Sequence, residues 1–253
     1  SKFTSKMMRT LRRRHSRKWL ADITHCRFRM STSAVTSHTP HNKESSHLEL
    51  RELLNRLCIK HGMMGCSCSV MMNGEYAFNY GFGYADINNP ESQLTPSAVP
   101  HTLFRVASLT KPMTATAISL LINDPSNNKI TYNSTIYDVI KDHPKTLENF
   151  QSFRTLNQYM DEITIHDLLC HQSGLRHYVT ENDYFYENYK NNVLNMFGND
   201  DLVSPPGQSY HYTVYGYQIL GMLIECLSGM PYFEFIKQKI LDPAQLKHTF
   251  PAG

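Results

Sequence analysis

A proline fixes where one helix of this chain can begin. The stretch Phe104-Arg105-Val106-Ala107-Ser108-Leu109-Thr110-Lys111-Pro112-Met113-Thr114-Ala115 leads into an apolar run that keeps helical character to about Ile122. Proline is tolerated only in the first turn of a helix, where its missing N–H is not needed. Pro112 therefore places the helix start close to Ser108. A serine there lies at the positive end of the helix dipole, among unpaired backbone N–H groups. Lys111 follows three residues later, on the same helix face. The hydroxyl and the amine stand side by side, a good place to make a nucleophile and hold an oxyanion. A partly desolvated lysine can lose its proton and activate the serine. The spacing alone is not specific. Ser-x-x-Lys recurs at Ser126 to Lys129, in a run of turn formers that reads as a loop. Taken by itself, Ser108 reads equally well as an N-cap followed by a solvated lysine. The rest of the chain has to decide.

At 253 residues the chain can form one large domain or two small ones sharing a core. Its net charge of +3 hides an asymmetry: ten of the 25 Lys and Arg lie in residues 1–42, against one of the 22 acids, Asp22. The body is therefore net acidic, which argues against nucleic acid as its partner. A steep salt dependence would be expected only of a nucleic-acid contact made by the arm. Residues 1–43 are basic, serine-rich and nearly free of acids, with Met8, Leu11 and Trp19 near one helical face. That is the composition of a mitochondrial transit peptide, and the expected location is mitochondrial; the plain alternative is a disordered basic tail. The six cysteines show no Cys-x-x-Cys or zinc spacing and read as reduced thiols. No apolar run approaches the ~18–20 residues of a membrane span.

Along the chain, Ser46-His47-Leu48-Glu49 has capping-box spacing ahead of a stripe of Leu50, Leu53, Leu54, Leu57 and Cys58, a helix expected to end near Gly62. Cys66 to Met72 and Glu75 to Gly81 flank Asn73-Gly74, the strongest short hairpin signal. Residues 84–103 read as irregular, and a polar stretch runs from Asp124 to about residue 162. Thr164 caps a short helix, Ile165 to Cys170, which Ser173-Gly174 is expected to close. Residues 180–197 read as a helix or a lid-like excursion, and Pro205-Pro206-Gly207 as a turn. Tyr215, Ile219, Leu220, Leu223, Ile224 and Leu227 keep helical spacing up to Gly229. Pro231 then opens a final helix, Tyr232 to Leu241.

Four segments, in order, resemble the serine beta-lactamase and penicillin-binding-protein family in its class C and esterase-like branch. They are Gly81-Phe82-Gly83-Tyr84-Ala85-Asp86; Phe104 to Lys111; Ile163-Thr164-Ile165-His166-Asp167-Leu168-Leu169-Cys170-His171-Gln172-Ser173-Gly174-Leu175; and Pro206-Gly207-Gln208-Ser209-Tyr210-His211-Tyr212-Thr213-Val214-Tyr215-Gly216-Tyr217. With the basic arm, the chain looks most like the eukaryotic mitochondrial proteins of this kind. The resemblance implies an α+β fold over residues 44–253: an antiparallel sheet flanked by helices, plus an all-helical subdomain. It implies that Ser108 is the acylated nucleophile, Lys111 its base or proton-sharing partner, and Tyr212 the tyrosine that shuttles a proton with the lysine. No cofactor is implied. The substrate implied is a small peptide, amide or ester, and self-association into a homo-oligomer is left open.

Two departures qualify this resemblance. The second motif reads Tyr212-Thr213-Val214, with valine where asparagine is usual, and valine offers no hydrogen bond. Classical beta-lactam turnover is therefore not expected. Literal Tyr-x-Asn triplets at Tyr186 to Asn188 and Tyr189 to Asn191 lack the Pro-Gly lead-in. The family's third motif, Lys or His then Thr or Ser then Gly, has no counterpart up to Gly253, which implies a missing C-terminal part and an incomplete sheet. His166 and His171 are five apart and share no helix face, so they read as surface or packing residues rather than metal ligands. His211, beside Tyr212, could tune the site. Two functions follow: a serine hydrolase working through an acyl-enzyme on Ser108, or a non-catalytic mitochondrial scaffold or regulator that keeps the fold.

Overall fold

The computed structural model describes residues 42–95, 102–125, 130–179 and 193–251. The basic arm, the second Ser-x-x-Lys and the two Tyr-x-Asn triplets lie outside the described residues, as does most of the expected lid over residues 180–197. The chain divides into two units, one ending at Pro100 and one beginning at His101.

In the first unit, helix α1 spans Asn42–Lys60. It begins four residues before the expected cap at Ser46, because nothing between Asn42 and Ser46 breaks a helix. The stripe on α1 is only partly used: Cys58 is buried, whereas Leu53 and Leu57 stay 39% and 41% exposed. Strands β1 (Gly65–Met72) and β2 (Glu75–Gly83) form the antiparallel hairpin, with Met72 opposite Glu75. Asn73 and Gly74 both take positive φ, 52° and 82°, as a two-residue turn matched to strand twist requires. A bulge lies between Val70 and Met71. Cys66 and Cys68 are half-buried while Ser67 and Ser69 face solvent, the period-two alternation expected of them. Behind β2, Phe78 and Tyr80 are buried, and the Tyr80 hydroxyl donates to Asn55 Oδ1 at 2.7 Å. A single turn, Pro90–Ser92, and one bridge from Tyr84 to Gln93 follow.

The second unit is helical. Helix α2 spans Thr110–Ile122, preceded by one tight turn, Ala107–Leu109, that carries Ser108. Among its described residues, the polar stretch after it holds three short helices: α3 (Ile136–Ile140), α4 (Pro144–Gln151) and α5 (Arg154–Tyr159). Each is one or two turns long, too short for a periodic signal, yet Thr135 caps α3 with a capping box and Pro144 opens α4. Helix α6 spans Ile165–Leu169 and α7 spans Tyr215–Ser228, ended by Gly229 at φ 67°. Helix α8 (Tyr232–Ile236) widens into a π-helical turn over Lys237–Leu241. Among the described residues, no single helix is long and apolar enough to cross a membrane.

The core of this unit gathers around α7. Tyr215, Ile219, Leu220, Leu223 and Ile224 are fully buried, and α7 packs against α2, α3, α6 and α8. Each such side chain contributes about 1.5–3 kcal/mol when taken from water. Facing them are Ala117 and Ile118 of α2, Ile136 and Ile140 of α3, and Leu168 of α6. One expectation fails at the end of α6. The left-handed residue after the helix is His171, φ 58°, not Gly174. Gly174, φ 75°, is needed for another reason: a Cβ there would lie 2.0 Å from the Ser204 carbonyl oxygen. Ser173-Gly174 therefore serves a close backbone approach, while histidine, which tolerates the left-handed region better than most residues, closes the helix.

The start of α6 is fixed by a reciprocal cap. Thr164 Oγ1 accepts from the Asp167 N–H at 3.1 Å, and Asp167 Oδ2 accepts from the Thr164 N–H at 3.0 Å and its hydroxyl at 2.6 Å. Asp167 is buried, so the cap cannot be replaced by water. Thr164→Ala is expected to destabilise the folded state by about 1–2 kcal/mol in urea titration, with an unchanged m-value.

Candidate active site

The turn Ala107–Leu109 positions Ser108. The Leu109 N–H donates to the Val106 carbonyl at 3.0 Å, and Ala107 sits at φ 44°. A left-handed alanine costs roughly 1–2 kcal/mol. The sharp redirection leaves Ser108 exposed at the head of α2, at the positive end of its dipole, with the Thr110 N–H bonded back to the Ala107 carbonyl. Lys111, one turn further on, donates from Nζ to Ser108 Oγ at 3.1 Å.

Tyr212 comes from the segment leading into α7, and its hydroxyl donates to the same Ser108 Oγ at 2.8 Å. The three side chains picked out from the sequence therefore meet at one oxygen. The segment carrying Tyr212 is laced to the chain after α6: Gly207 N–H to the Gln172 carbonyl at 2.9 Å, His211 N–H to the His171 carbonyl at 2.8 Å, and Val203 N–H to the Gly174 carbonyl at 2.8 Å. Thr213 is fully buried. Its hydroxyl donates to the Arg176 carbonyl at 2.6 Å and accepts from the Tyr215 N–H at 3.1 Å, so it anchors the start of α7 directly behind Tyr212.

The electrostatics centre on Lys111. Its Nζ lies 4.8 Å from the centre of the Tyr212 ring and 5.5 Å from that of Tyr217. For Tyr212, burial pushes the phenol up. Hydrogen bonds with Lys111 and Ser108 and the lysine charge outweigh burial, and its pKa falls below the usual tyrosine value. Tyr217 is the opposite case: burial, then the neighbouring Cys170 and Tyr212, raise its pKa. It stays a neutral phenol that donates to the Leu169 carbonyl at 3.0 Å and offers Lys111 a ring face.

Two of these side chains, Tyr217 and His171, belong to the site although sequence spacing did not single them out as functional. The His171 ring packs tilted against that of Tyr212, with ring centres 4.5 Å apart. A faint signal existed for Tyr217, five residues beyond Tyr212 in a run already rich in tyrosine. His166 points elsewhere, 54% exposed and 3.9 Å from Asp167, and His211 enters only through its backbone N–H. Among the described residues, no group of three or more His, Cys, Asp or Glu is placed to hold a metal ion. A cavity of about 710 Å³ opens beside Ser108 and Lys111 and is lined also by Thr114, Val214, Tyr217 and Glu225. Val214 presents only methyl groups to it. An exposed hydroxyl under two hydrogen bonds, beside a phenol of lowered pKa and an open cavity, is equipped for proton-coupled attack on a carbonyl.

A family model described as Beta-lactamase matches residues 44–251. Protein flp of Staphylococcus aureus (strain MW2) is 29% identical over 188 residues, covering 73% of this chain and 34% of that protein. Penicillin-binding protein 4* of Bacillus subtilis (strain 168) is 28% identical over 216 residues, covering 82% of this chain and 42% of that protein. The chain thus spans well under half the length of these curated relatives. Among solved structures, one titled "A class C beta-lactamase" superposes with a TM-score of 0.62 at 19% identity, over 86% of this chain and 54% of the other. The fold is of that kind, with helices and a small antiparallel sheet of two strands among the described residues.

The phenol arrangement makes a spectroscopic prediction. Ultraviolet titration of the chain should show one tyrosine ionising below the ordinary range, and Tyr212→Phe should remove it. Lys111→Met should return that phenol to, or above, the ordinary value, because burial then acts without the opposing charge.

Proposed function

The chain belongs to the beta-lactamase family, and from that premise we propose that it is a serine hydrolase working through an acyl-enzyme on Ser108. One observation supports this above the rest: Ser108 Oγ lies 3.1 Å from Lys111 Nζ and 2.8 Å from the Tyr212 hydroxyl. In the proposed reaction Tyr212 acts in its ionised form, in which it accepts the hydrogen bond from Ser108 instead of donating it: the serine oxygen attacks a peptide, amide or ester carbonyl while its proton passes to the phenolate. The tetrahedral oxyanion gathers at the positive end of the α2 dipole. Tyr212 returns the proton to the leaving amine or alcohol. Water, deprotonated by the same phenolate, then releases the acid and frees the serine. Lys111 favours the ionised form of Tyr212 and is the alternative carrier of the proton.

Val214 narrows the substrate. Where the family usually places an amide side chain, this cavity has an apolar wall, so the substrate must be held without that hydrogen bond. Simple esters and amides fit better than penicillins. The same valine favours the second reading, a scaffold that keeps the fold without turnover, and one experiment separates the two. A fluorophosphonate should label Ser108 covalently, and both Ser108→Ala and Lys111→Ala should abolish the label. Absence of any adduct on Ser108 while a relative reacts under the same conditions would refute the hydrolase and leave the scaffold. The basic arm adds a proposal about location. Residues 1–43 fused to a fluorescent protein should direct it to mitochondria, and replacing Arg12, Arg13, Arg14 and Arg17 with glutamine should leave it in the cytosol.

A further inference from the structure

His171 touches the chain on both sides of Tyr212. Its carbonyl accepts the His211 N–H at 2.8 Å, and its Nδ1 accepts the Thr213 N–H at 3.2 Å. The residues on either side of the tyrosine are thus both tied, through their N–H groups, to one residue. The imidazole ring also packs on the Tyr212 ring at 4.5 Å, on Tyr217 at 5.2 Å, and edge-on to Tyr210 at 5.8 Å. The left-handed φ of 58° makes this double grip feasible, since it turns the backbone sharply after α6. We propose that His171 is the positioning residue for Tyr212, acting as a neutral imidazole whose unprotonated Nδ1 and whose carbonyl together hold the phenol against Ser108 Oγ. The proposal rests on the reading of Tyr212 as proton carrier.

The grip depends on protonation in a definite direction. An Nδ1 that accepts from an N–H has no proton, so the ring proton sits on Nε2. The titratable groups around it are Lys111 from α2, Cys170 and His177 from the chain flanking it, Tyr210 and Tyr212 from the segment before α7, and Tyr217 from α7. Burial, then the charges of Lys111 and His177, hold the imidazole below its ordinary value. It is therefore neutral at pH 7. As pH falls through that lowered value the ring gains a proton, Nδ1 becomes a donor facing the Thr213 N–H, and the bond is lost. A second cation then also stands near Lys111. Tyr212 is released on the acid side only; raising the pH above neutrality leaves the grip unchanged.

Two substitutions separate grip from backbone shape. Both asparagine and glycine accept a left-handed φ, but only asparagine offers an acceptor near the place of Nδ1. In the full chain, the Tyr212 phenol is followed by ultraviolet titration, identified as the transition missing in Tyr212→Phe. Fluorophosphonate labelling of Ser108 is followed as a function of pH. In His171→Gly the Tyr212 pKa should rise toward the ordinary tyrosine value and labelling should slow roughly 10- to 100-fold. His171→Asn should keep the lowered phenol and most of the labelling rate, and its acid-side fall in labelling should follow the Tyr212 titration alone, without the further loss that imidazole protonation adds in the wild type. A glycine variant with wild-type titration and labelling would overturn the proposal, as would an asparagine variant as impaired as glycine. If the wild-type chain never labels, the hydrolase reading fails alone, and the phenol titration of the two variants still decides the role of His171.

Discussion

The burial of α7 is the constraint on which the site depends. Ser108 and Lys111 are neighbours by helix geometry and would meet in almost any fold that kept α2. Tyr212 is 104 residues from Ser108 and has no local reason to be near it. It arrives because α7 is apolar on the face that meets α2, α3, α6 and α8, and because the helix start is pinned by the buried Thr213 hydroxyl. Removing one of Ile219, Leu223 or Ile224 to alanine would cost about 2–5 kcal/mol. Such a loss would matter for chemistry as well as stability, since helix position and phenol position are one variable. The core fixes a 2.8 Å contact at the surface.

Where the core stops, strained backbone takes over. Ala107 and His171 both occupy the left-handed region without being glycine. Each lies immediately beside a segment that must change direction within a residue. Ala107 turns an extended approach into the turn before α2, and His171 turns the end of α6 back toward the chain that carries Tyr212. Glycine would relieve both, at the price of a looser unfolded chain and, at 171, of the imidazole itself. Strain of this size persists only where the surroundings over-determine the conformation. At His171 the bonds that the Gly207 and Val203 N–H groups donate to the Gln172 and Gly174 carbonyls supply that determination.

The parts of this fold legible in the sequence were those with a local cause. Asn73-Gly74 dictates its hairpin, Pro112 dates the start of α2, and Gly229 and Pro231 punctuate the break between α7 and α8. Ser108, Lys111 and Tyr212 could be named because two motifs of fixed spacing frame them. The three helices between Ile136 and Tyr159 were not legible, because one- and two-turn helices bury too few residues to set up a period. The end of α6 falls where expected, at Cys170, but its closure was credited to Ser173-Gly174, because glycine was read as a helix stop when it serves a close approach to Ser204. His171 and Tyr217 were passed over for a related reason. Their importance lies in what they touch across the fold, and spacing along one helix carries no record of that.

The environment of Lys111 explains why the phenol is the group displaced toward ionisation. A carboxamide at position 214 would be able to accept a hydrogen bond from the amine. Val214 cannot, and the faces of Tyr212 and Tyr217 attract positive charge without binding its protons in directed hydrogen bonds to a lone pair. The amine therefore keeps its N–H donors for oxygens, and Ser108 Oγ takes one of them at 3.1 Å. With its charge directed at the serine and phenol rather than at a side-chain carbonyl, Lys111 lowers the cost of a negative Tyr212 against the burial that opposes it. In the proposed reaction, the ionised form of that phenol, one hydrogen bond from the serine, would need no further group to accept the proton. Val214 leaves the contacts of Ser108 with Lys111 and Tyr212 intact.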